Sequence, residues 1–306
     1  MCVNILIVDP IHQSALMELS AKYNVVCKIH PGRKEFIKLL RDAEILVIRS
    51  GMTLDKKIID ESKNLKMIVR AGSGLDNIPV KYCKANNIKV LNIPNTSHSS
   101  VAEFTFGLIL CLIRKINIAD SQLRENTWKK PELYGYSLYG KTIGIIGIGK
   151  IGSYVANIAK GFNLKVLATA EKIDNQRKVL FKKQGIELVA LDNLLEFSDI
   201  VSLHVPLKKN TKYLINIDKL KLMKESSFLI NLSRGKVVKE QDVVFVLKNN
   251  IIAGYATDVF EKEKEKSELF NLHNTVFTPH IGAMTYEAQE EIGKILVQHI
   301  SDFVRN

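Results

Sequence analysis

Gly147-Ile148-Gly149-Lys150-Ile151-Gly152 stands directly after the apolar run 142–146 and directly before SYVANIAKGF (153–162), a segment of helical periodicity. Strand, glycine turn and helix in this order limit the fold more than any other feature of the chain. The spacing has a mechanism. Gly147 permits the tight turn, Gly149 lets backbone amides approach a pyrophosphate, and Gly152 lets helix and strand pack closely. N–H groups at the helix start then meet the negative charge. A glycine-rich turn without a ligand is the plain alternative, and the flanking strand and helix argue against it. The segment is expected to bind a dinucleotide through Gly147, Gly149, Lys150, Ile151 and Gly152.

The 306 residues leave room for a second domain beside this one. Short β-branched runs at 3–8, 25–29, 45–48, 67–69 and 89–93 read as buried strands alternating with amphipathic stretches, the rhythm of a parallel sheet flanked by helices. The rhythm restarts with TIGIIG at 142 and continues through KVLA (165–168), DIVSLH (199–204), SFLINL (227–232), IIAGYA (251–256) and TVFTPH (275–280). Two doubly wound α/β units are implied. Between them a long helical pattern runs from Ser99, a candidate N-cap with Glu103 following, through Phe104, Leu108, Cys111, Leu112 and Ile116. The stretch 285–304 is amphipathic, with Ile292, Ile295, Leu296, His299, Ile300 and Phe303 on one face. Periodicity alone leaves open which unit that face covers.

Cys2, Cys27, Cys83 and Cys111 form no CxxC pair, so neither a disulfide framework nor a metal site is expected. A net charge of +12 fits a nucleic-acid surface, an attraction for anionic substrates, or a solubilising lysine shell. Lys56, Lys57, Lys182, Lys183, Lys208 and Lys209 are scattered without the aromatic residues of a stacking platform, so no nucleic-acid partner is expected. The start lacks a basic n-region, and the apolar stretch 104–113 lies between Glu103 and Arg114 and is too short to span a bilayer. A cytoplasmic location without membrane attachment is the expectation.

NLSRGKVV (231–238), AGYATDVFEKE (253–263) and TPHIGA (278–283) resemble the D-isomer-specific 2-hydroxyacid dehydrogenases. RAGSGLDNI (70–78) and NIPNTSHSSVAEFTFGLIL (92–110) extend the resemblance along the chain, which is most similar to the D-3-phosphoglycerate dehydrogenases of that family. The resemblance implies a Rossmann NAD-binding domain over 97–280 and a flavodoxin-like substrate-binding domain over 1–96 plus 281–306. It implies a catalytic trio of Arg234, Glu263 and His280. The chemistry is sensible: an imidazole accepts or returns the hydroxyl proton, a carboxylate orients the ring and stabilises the imidazolium, and a guanidinium holds the substrate carboxylate and polarises the carbonyl. Taken singly, His280 reads equally as a core histidine, Glu263 as a solvated acid in a charged run, and Arg234 as a surface charge. Their joint occurrence at family spacing carries the functional reading.

For the cofactor, the resemblance adds Asp258 near the nicotinamide carboxamide, His204 with Pro206 on the adenosine side, and Ser233 and Gly282 as further cofactor contacts. His204 has the alternative of strand-end packing. A ribose-binding acid is expected about 20 residues into the fingerprint unit. The family's Asp falls on Ala170, and Glu171 stands one position on. NAD is therefore expected, with NADP the less favoured alternative, since Lys172 is the adjacent cation and Arg177 lies further along. Lys264 stands where the family usually has proline, which implies a softer loop after Glu263.

Arg49 and Arg70 end successive strand runs, and Ser73 with Gly74 matches a family loop whose amides hold the substrate carboxylate. Two strand-end arginines suit a substrate with a carboxylate at one end and a phosphate at the other. The resemblance thus implies oxidation of 3-phospho-D-glycerate, the first step of phosphorylated serine biosynthesis, by a homodimer in which Lys129 and Lys130 add charge from a neighbouring subunit. The larger family members carry regulatory domains after the core, so serine feedback is not expected in a chain ending at Asn306. Two alternatives stay open: an enzyme acting on glyoxylate, hydroxypyruvate or another 2-keto acid, and a nucleotide-sensing protein like the corepressors that share this fold.

Overall fold

A computed structural model describes residues 3–305, so Cys2 lies outside the described residues. The chain divides into two compact units, Met1–Ser97 with Met284–Asn306, and His98–Ala283.

The first unit alternates strand and helix throughout: β1 (Asn4–Ile7), α1 (Gln13–Lys22), β2 (Asn24–Cys27), α2 (Arg33–Leu40), β3 (Ile45–Ile48), α3 (Lys56–Asp60), β4 (Met67–Arg70), α4 (Val80–Ala85) and β5 (Lys89–Asn92). All five strands are parallel in the order β2-β1-β3-β4-β5, the flavodoxin-like arrangement. The C-terminal helix Tyr286–Arg305 belongs to this unit and packs on α1 and β4. Ile292, Leu296 and Ile300 share a core with Leu19, Val47 and Val69. Burial of each such side chain contributes about 1.5–3 kcal/mol. The helix's Glu290–Lys294 pair is solvent-exposed and screened, so the apolar face is what holds it.

Two of the five strand runs depart from the expected burial. The runs at 25–29 and 89–93 are not buried strands: β2 and β5 are the sheet edges, and their side chains are half-buried to exposed. β-branched content records a preference for extended backbone, while burial depends on neighbours that only the strand order supplies.

The second unit runs α5 (His98–Ile113), α6 (Ile116–Arg124), β6 (Thr142–Ile146), α7 (Lys150–Gly161), β7 (Lys165–Thr169), α8 (Asn175–Lys183), β8 (Ile186–Leu188), α9 (Leu191–Phe197), β9 (Ile200–Leu203), α10 (Ile217–Leu220), β10 (Phe228–Asn231), α11 (Glu240–Lys248), β11 (Gly254–Thr257) and β12 (Thr275–Phe277). Its seven parallel strands follow β12-β11-β10-β9-β6-β7-β8. β6 lies between β9 and β7, so successive connections leave it in opposite directions. Ligands in such sheets sit beyond the carboxyl ends of the strands at this switch point.

The long helix expected from Ser99 to Ile116 differs in detail. α5 begins at His98, which puts Ser99 inside the first turn rather than at the cap. It ends at Ile113, Lys115 turns through the left-handed region at φ 54°, and α6 starts anew. The break has a packing reason: α5 is lined with buried residues, whereas α6 buries none. α5 packs against α7, β10, β11 and β12 and is part of this unit's core. The run at 251–256 becomes strand only from Gly254, because the Ile251 amide closes the end of α11 on the Val246 carbonyl at 2.8 Å. The three-residue β8 was not anticipated. Among the described residues no helix is long and apolar enough to cross a membrane.

Candidate active site

The chain leaves β6 through Gly147 at φ 99°, and an idealised Cβ there would lie 2.7 Å from the His204 carbonyl oxygen. A side chain is excluded by both conformation and space. Gly149 caps α7, whose first residues are Lys150 and Ile151, and a Cβ at Gly149 would meet no atom within 4 Å. The helix start therefore faces open space. Gly152 packs against the turn, its idealised Cβ 2.3 Å from the Gly147 carbonyl oxygen.

Around this turn the carboxyl ends of β6, β7 and β9 enclose a cavity of about 420 Å³ lined by Gly147, Gly149, Glu171, Arg177, His204 and Lys208 among others. The His204 ring meets Ser202 Oγ at 2.9 Å through Nε2. Its buried Nδ1 has no hydrogen-bond partner among the described residues. Burial pulls the imidazole down to about 4, so the ring is neutral near pH 7. A helix start facing open space, an apolar-walled cavity and an orphaned nitrogen on its wall fit a dinucleotide. Pro206 follows on the same wall, its carbonyl accepting from Thr211 Oγ1 at 2.6 Å.

Glu171 stands just beyond β7, where Lys208 Nζ approaches its carboxylate at 3.4 Å and Asn210 Nδ2 at 3.3 Å. The sequence count placed Arg177 too far along to matter. In the fold, the start of α8 returns it: Arg177 Nη1 donates to the Lys172 carbonyl at 2.8 Å, and the residue lines the same cavity. This end of the cavity thus carries one carboxylate and two cations.

Arg234, Glu263 and His280 lie in the loops following β10, β11 and β12. The turn at Arg234 is shaped by Asn231, whose Oδ1 accepts from Ser233 N at 3.0 Å and Ser233 Oγ at 2.8 Å, while its Nδ2 donates to the Arg234 carbonyl at 3.1 Å. The Ser233 hydroxyl proton is therefore used inside the turn, while its oxygen can still accept. Arg234 Nη1 donates to the Ser233 carbonyl at 2.7 Å.

His280 Nδ1 lies 2.7 Å from Glu263 Oε1, with both side chains about one-third exposed, 34% and 38%. The hydrogen bond from His280 holds the Glu263 carboxyl below its ordinary range against burial, helped by the charges of His280, Arg234 and Lys264. An ionised carboxylate can only accept, so Nδ1 carries the proton and Nε2 is left to exchange one.

Buried Asp258 accepts at Oδ1 from Thr278 Oγ1 at 2.6 Å and Ile281 N at 2.8 Å, and at Oδ2 from Gly282 N at 2.8 Å. These three donors flank His280, itself at φ 58°, and fix its turn. Lys264 adopts φ 69°, which a proline ring cannot. The loop after Glu263 is thus not a proline turn lacking its proline but a different path.

In the first unit Arg49 follows β3 and Arg70 ends β4, with Ser73 and Gly74 in the next turn. Asp9, which is buried, accepts from Arg49 N at 2.5 Å. The Arg49 guanidinium donates to the Pro10 carbonyl at 3.2 Å and touches Met284 Sδ at 3.3 Å. Burial lowers its pKa and the Asp9 charge opposes that. The Ser73 carbonyl accepts from Asn92 Nδ2 at 2.6 Å. Lys129 and Lys130 are exposed beside Trp128, which is 80% exposed. Among the described residues no three His, Cys, Asp or Glu side chains group to hold a metal.

Sequence reasoning missed Asn231 and Thr278, the polar residues that shape the Arg234 and His280 turns, together with Lys208 and Asn210, and set Arg177 aside as lying further along. The Asn-x-Ser spacing at the end of β10 is a turn signal that could have revealed Asn231.

The family described as "D-isomer specific 2-hydroxyacid dehydrogenase, NAD binding domain" matches residues 106–282. A D-3-phosphoglycerate dehydrogenase of Methanocaldococcus jannaschii is 36% identical over 99% of this chain, which spans 58% of that protein's length. A hydroxypyruvate reductase of Thermotoga maritima is 39% identical over 95% of each chain. A D-lactate dehydrogenase from Aquifex aeolicus, solved with NAD and lactic acid, superposes with a TM-score of 0.86 at 28% identity, covering 99% of this chain and 95% of that one.

Proposed function

Because this chain belongs to the D-isomer specific 2-hydroxyacid dehydrogenases, an NAD-dependent oxidoreductase family, we propose that it interconverts 3-phospho-D-glycerate and 3-phosphohydroxypyruvate with His280 as the acid–base residue. The observation that carries the chemistry is the 2.7 Å contact between His280 Nδ1 and an ionised Glu263. NAD supplies the hydride chemistry when bound, in the cavity lined by Gly147, Gly149, Glu171, His204 and Pro206. His280 Nε2 takes the C2 hydroxyl proton during oxidation and returns it during reduction, while Glu263 stabilises the imidazolium that forms. Arg234 offers its guanidinium to the substrate carboxylate and the developing carbonyl oxygen. Ser233, Asp258 and Gly282 are assigned to the nicotinamide side, where Asp258 also braces the His280 turn. A homodimer is the proposed assembly, in which the exposed Lys129 and Lys130 add charge from the neighbouring subunit.

Arg49, Arg70, Ser73 and Gly74 are proposed to bind the anionic substrate. The support for a phosphorylated substrate is the pair of arginines at neighbouring strand ends. Arg49→Ala is expected to raise KM for 3-phosphohydroxypyruvate about tenfold, the loss of one charge-assisted hydrogen bond, while KM for glyoxylate stays put. Steady-state kinetics with both acids decide it, and equal losses would make Arg49 structural. Asp9 favours a second reading: its carboxylate partly neutralises Arg49, which suits an unphosphorylated acid such as hydroxypyruvate.

At the ribose end NAD is expected to be preferred by a modest margin, because Glu171 is flanked by Lys208 and Arg177. Ala170→Asp adds a carboxylate that repels a 2′-phosphate and should raise the NAD-to-NADP ratio of kcat/KM at least about tenfold. An unmoved ratio, or a parent that prefers NADP, would contradict this.

A further inference from the structure

The loops carrying Arg234 and Glu263 are bound to one another by groups that the proton chemistry does not use. Gly235 runs against Phe260 so closely that an idealised Cβ would lie 1.9 Å from the Phe260 carbonyl carbon and oxygen. One residue further, Glu261 begins a reciprocal clasp with the first residue of α11. Glu240 N donates to Glu261 Oε1 at 2.9 Å, and Glu261 N donates in return to Glu240 Oε1. The remaining oxygens are also used: Ser267 Oγ donates to Glu240 Oε2 at 3.2 Å, and Tyr213 O–H to Glu261 Oε2 at 2.9 Å. Tyr213 reaches the other loop as well, its N–H donating to the Lys236 carbonyl at 2.8 Å.

One carboxylate would suffice to cap this helix start, where negative charge is favourable, whereas here two carboxylates each accept the other residue's N–H. Burial raises the Glu240 pKa, the hydrogen bonds from Glu261 N and Ser267 oppose the rise, and the Glu261 charge adds to it least. What the pairing achieves is geometric. The loop that turns at Lys264 is fastened on both sides of Glu263, by the clasp at Glu261 and by Ser267.

We infer that Glu261, with Glu240 and Tyr213, is a positioning group that sets Glu263 against His280 and keeps the Arg234 loop in register with both. The inference rests on the reading of Glu263 and His280 as the acid–base pair. Small displacements are costly in such a pair, since about 1 Å can lower a rate by up to about 10². The groups facing the pair are Arg234 and Lys264, both cations, so a released Glu263 has other partners to drift toward.

The test compares Glu261→Ala, Glu261→Gln, Tyr213→Phe and Glu263→Gln in the full chain. NADH-dependent turnover is measured across pH with whichever of 3-phosphohydroxypyruvate, hydroxypyruvate and glyoxylate reacts fastest. Reduction needs a protonated imidazole, and the Glu263 charge favours that form, so Glu263→Gln should move the profile to lower pH. Glu261→Ala should move it in the same direction and lower kcat about tenfold, with the NADH Kd within about twofold. Glu261→Gln keeps an acceptor for Glu240 N and should restore at least about half of kcat. Tyr213→Phe, which removes one hydroxyl, should give a smaller loss with the fold intact. A Glu261→Ala protein that is less heat-stable but has an unmoved profile, or a Gln variant no better than Ala, would overturn the positioning role. If Glu261→Ala does not fold, Tyr213→Phe decides: an unmoved kcat overturns it. An unmoved profile in Glu263→Gln would instead overturn the acid–base reading beneath it.

Discussion

His280→Ala is expected to lower turnover by at least about 10², the usual worth of a positioned acid–base group, while NADH binds within about threefold of its original affinity. The separation follows from position. His280 lies after β12, whereas the pyrophosphate and ribose are assigned to the cavity at the ends of β6, β7 and β9, and the nicotinamide side to Asp258 and Gly282 rather than to the imidazole. Arg234→Ala should show a loss of similar size for a different reason, because the carbonyl then develops without a cation beside it. The Arg234 turn is held by Asn231 and by the Gly235 approach to Phe260, so the variant keeps its backbone. NADH fluorescence titration beside steady-state kinetics separates binding from chemistry. Rates near the parent's in either variant would remove that residue from the mechanism.

Gly149→Ala is expected to weaken NADH binding by at least about tenfold, the effect of one methyl forced into an occupied contact. The chain itself has no objection to this methyl. Gly149 sits at φ −86° and ψ −157°, open to any residue, and its Cβ would meet nothing within 4 Å. Restricting the unfolded chain even favours the folded state by about 0.4–1 kcal/mol. The variant should therefore melt at the parent's temperature or slightly above it while losing affinity. A ligand that approaches the backbone at Gly149 produces this pattern, and a glycine retained for folding does not. Differential scanning calorimetry with and without NADH reads both quantities, and unchanged affinity would move the pyrophosphate elsewhere.

Much of the candidate cofactor seat was legible in the sequence because backbone geometry leaves its mark on residue type. Gly147 is glycine since a side chain would strike the His204 carbonyl at a positive φ. The candidate trio stood out through resemblance and strand-end position, and the structure brings two of its members, His280 and Glu263, into contact. What stayed hidden depends on the order in which elements pack. Nothing local distinguishes the edge strands β2 and β5 from the central ones, and nothing local says that α8 returns Arg177 to the Glu171 end of the cavity. The break at Lys115 lies within an unbroken apolar period, so only the change from buried α5 to solvated α6 explains it. Glu261 sits in FEKEKEKSE, where its partner Glu240 is 21 residues away and the run reads as a solvated surface.

An oxidoreductase for a phosphorylated D-2-hydroxy acid is recognised by its kcat/KM for NADH oxidation with 3-phosphohydroxypyruvate, hydroxypyruvate and glyoxylate. One additional charge-assisted contact is worth about 1.5–3 kcal/mol, so 3-phosphohydroxypyruvate should lead by at least about tenfold. Hydroxypyruvate or glyoxylate equalling or exceeding it would contradict a phosphate-binding role for Arg49 and Arg70, and no turnover of any of the three would contradict an oxidoreductase for such acids.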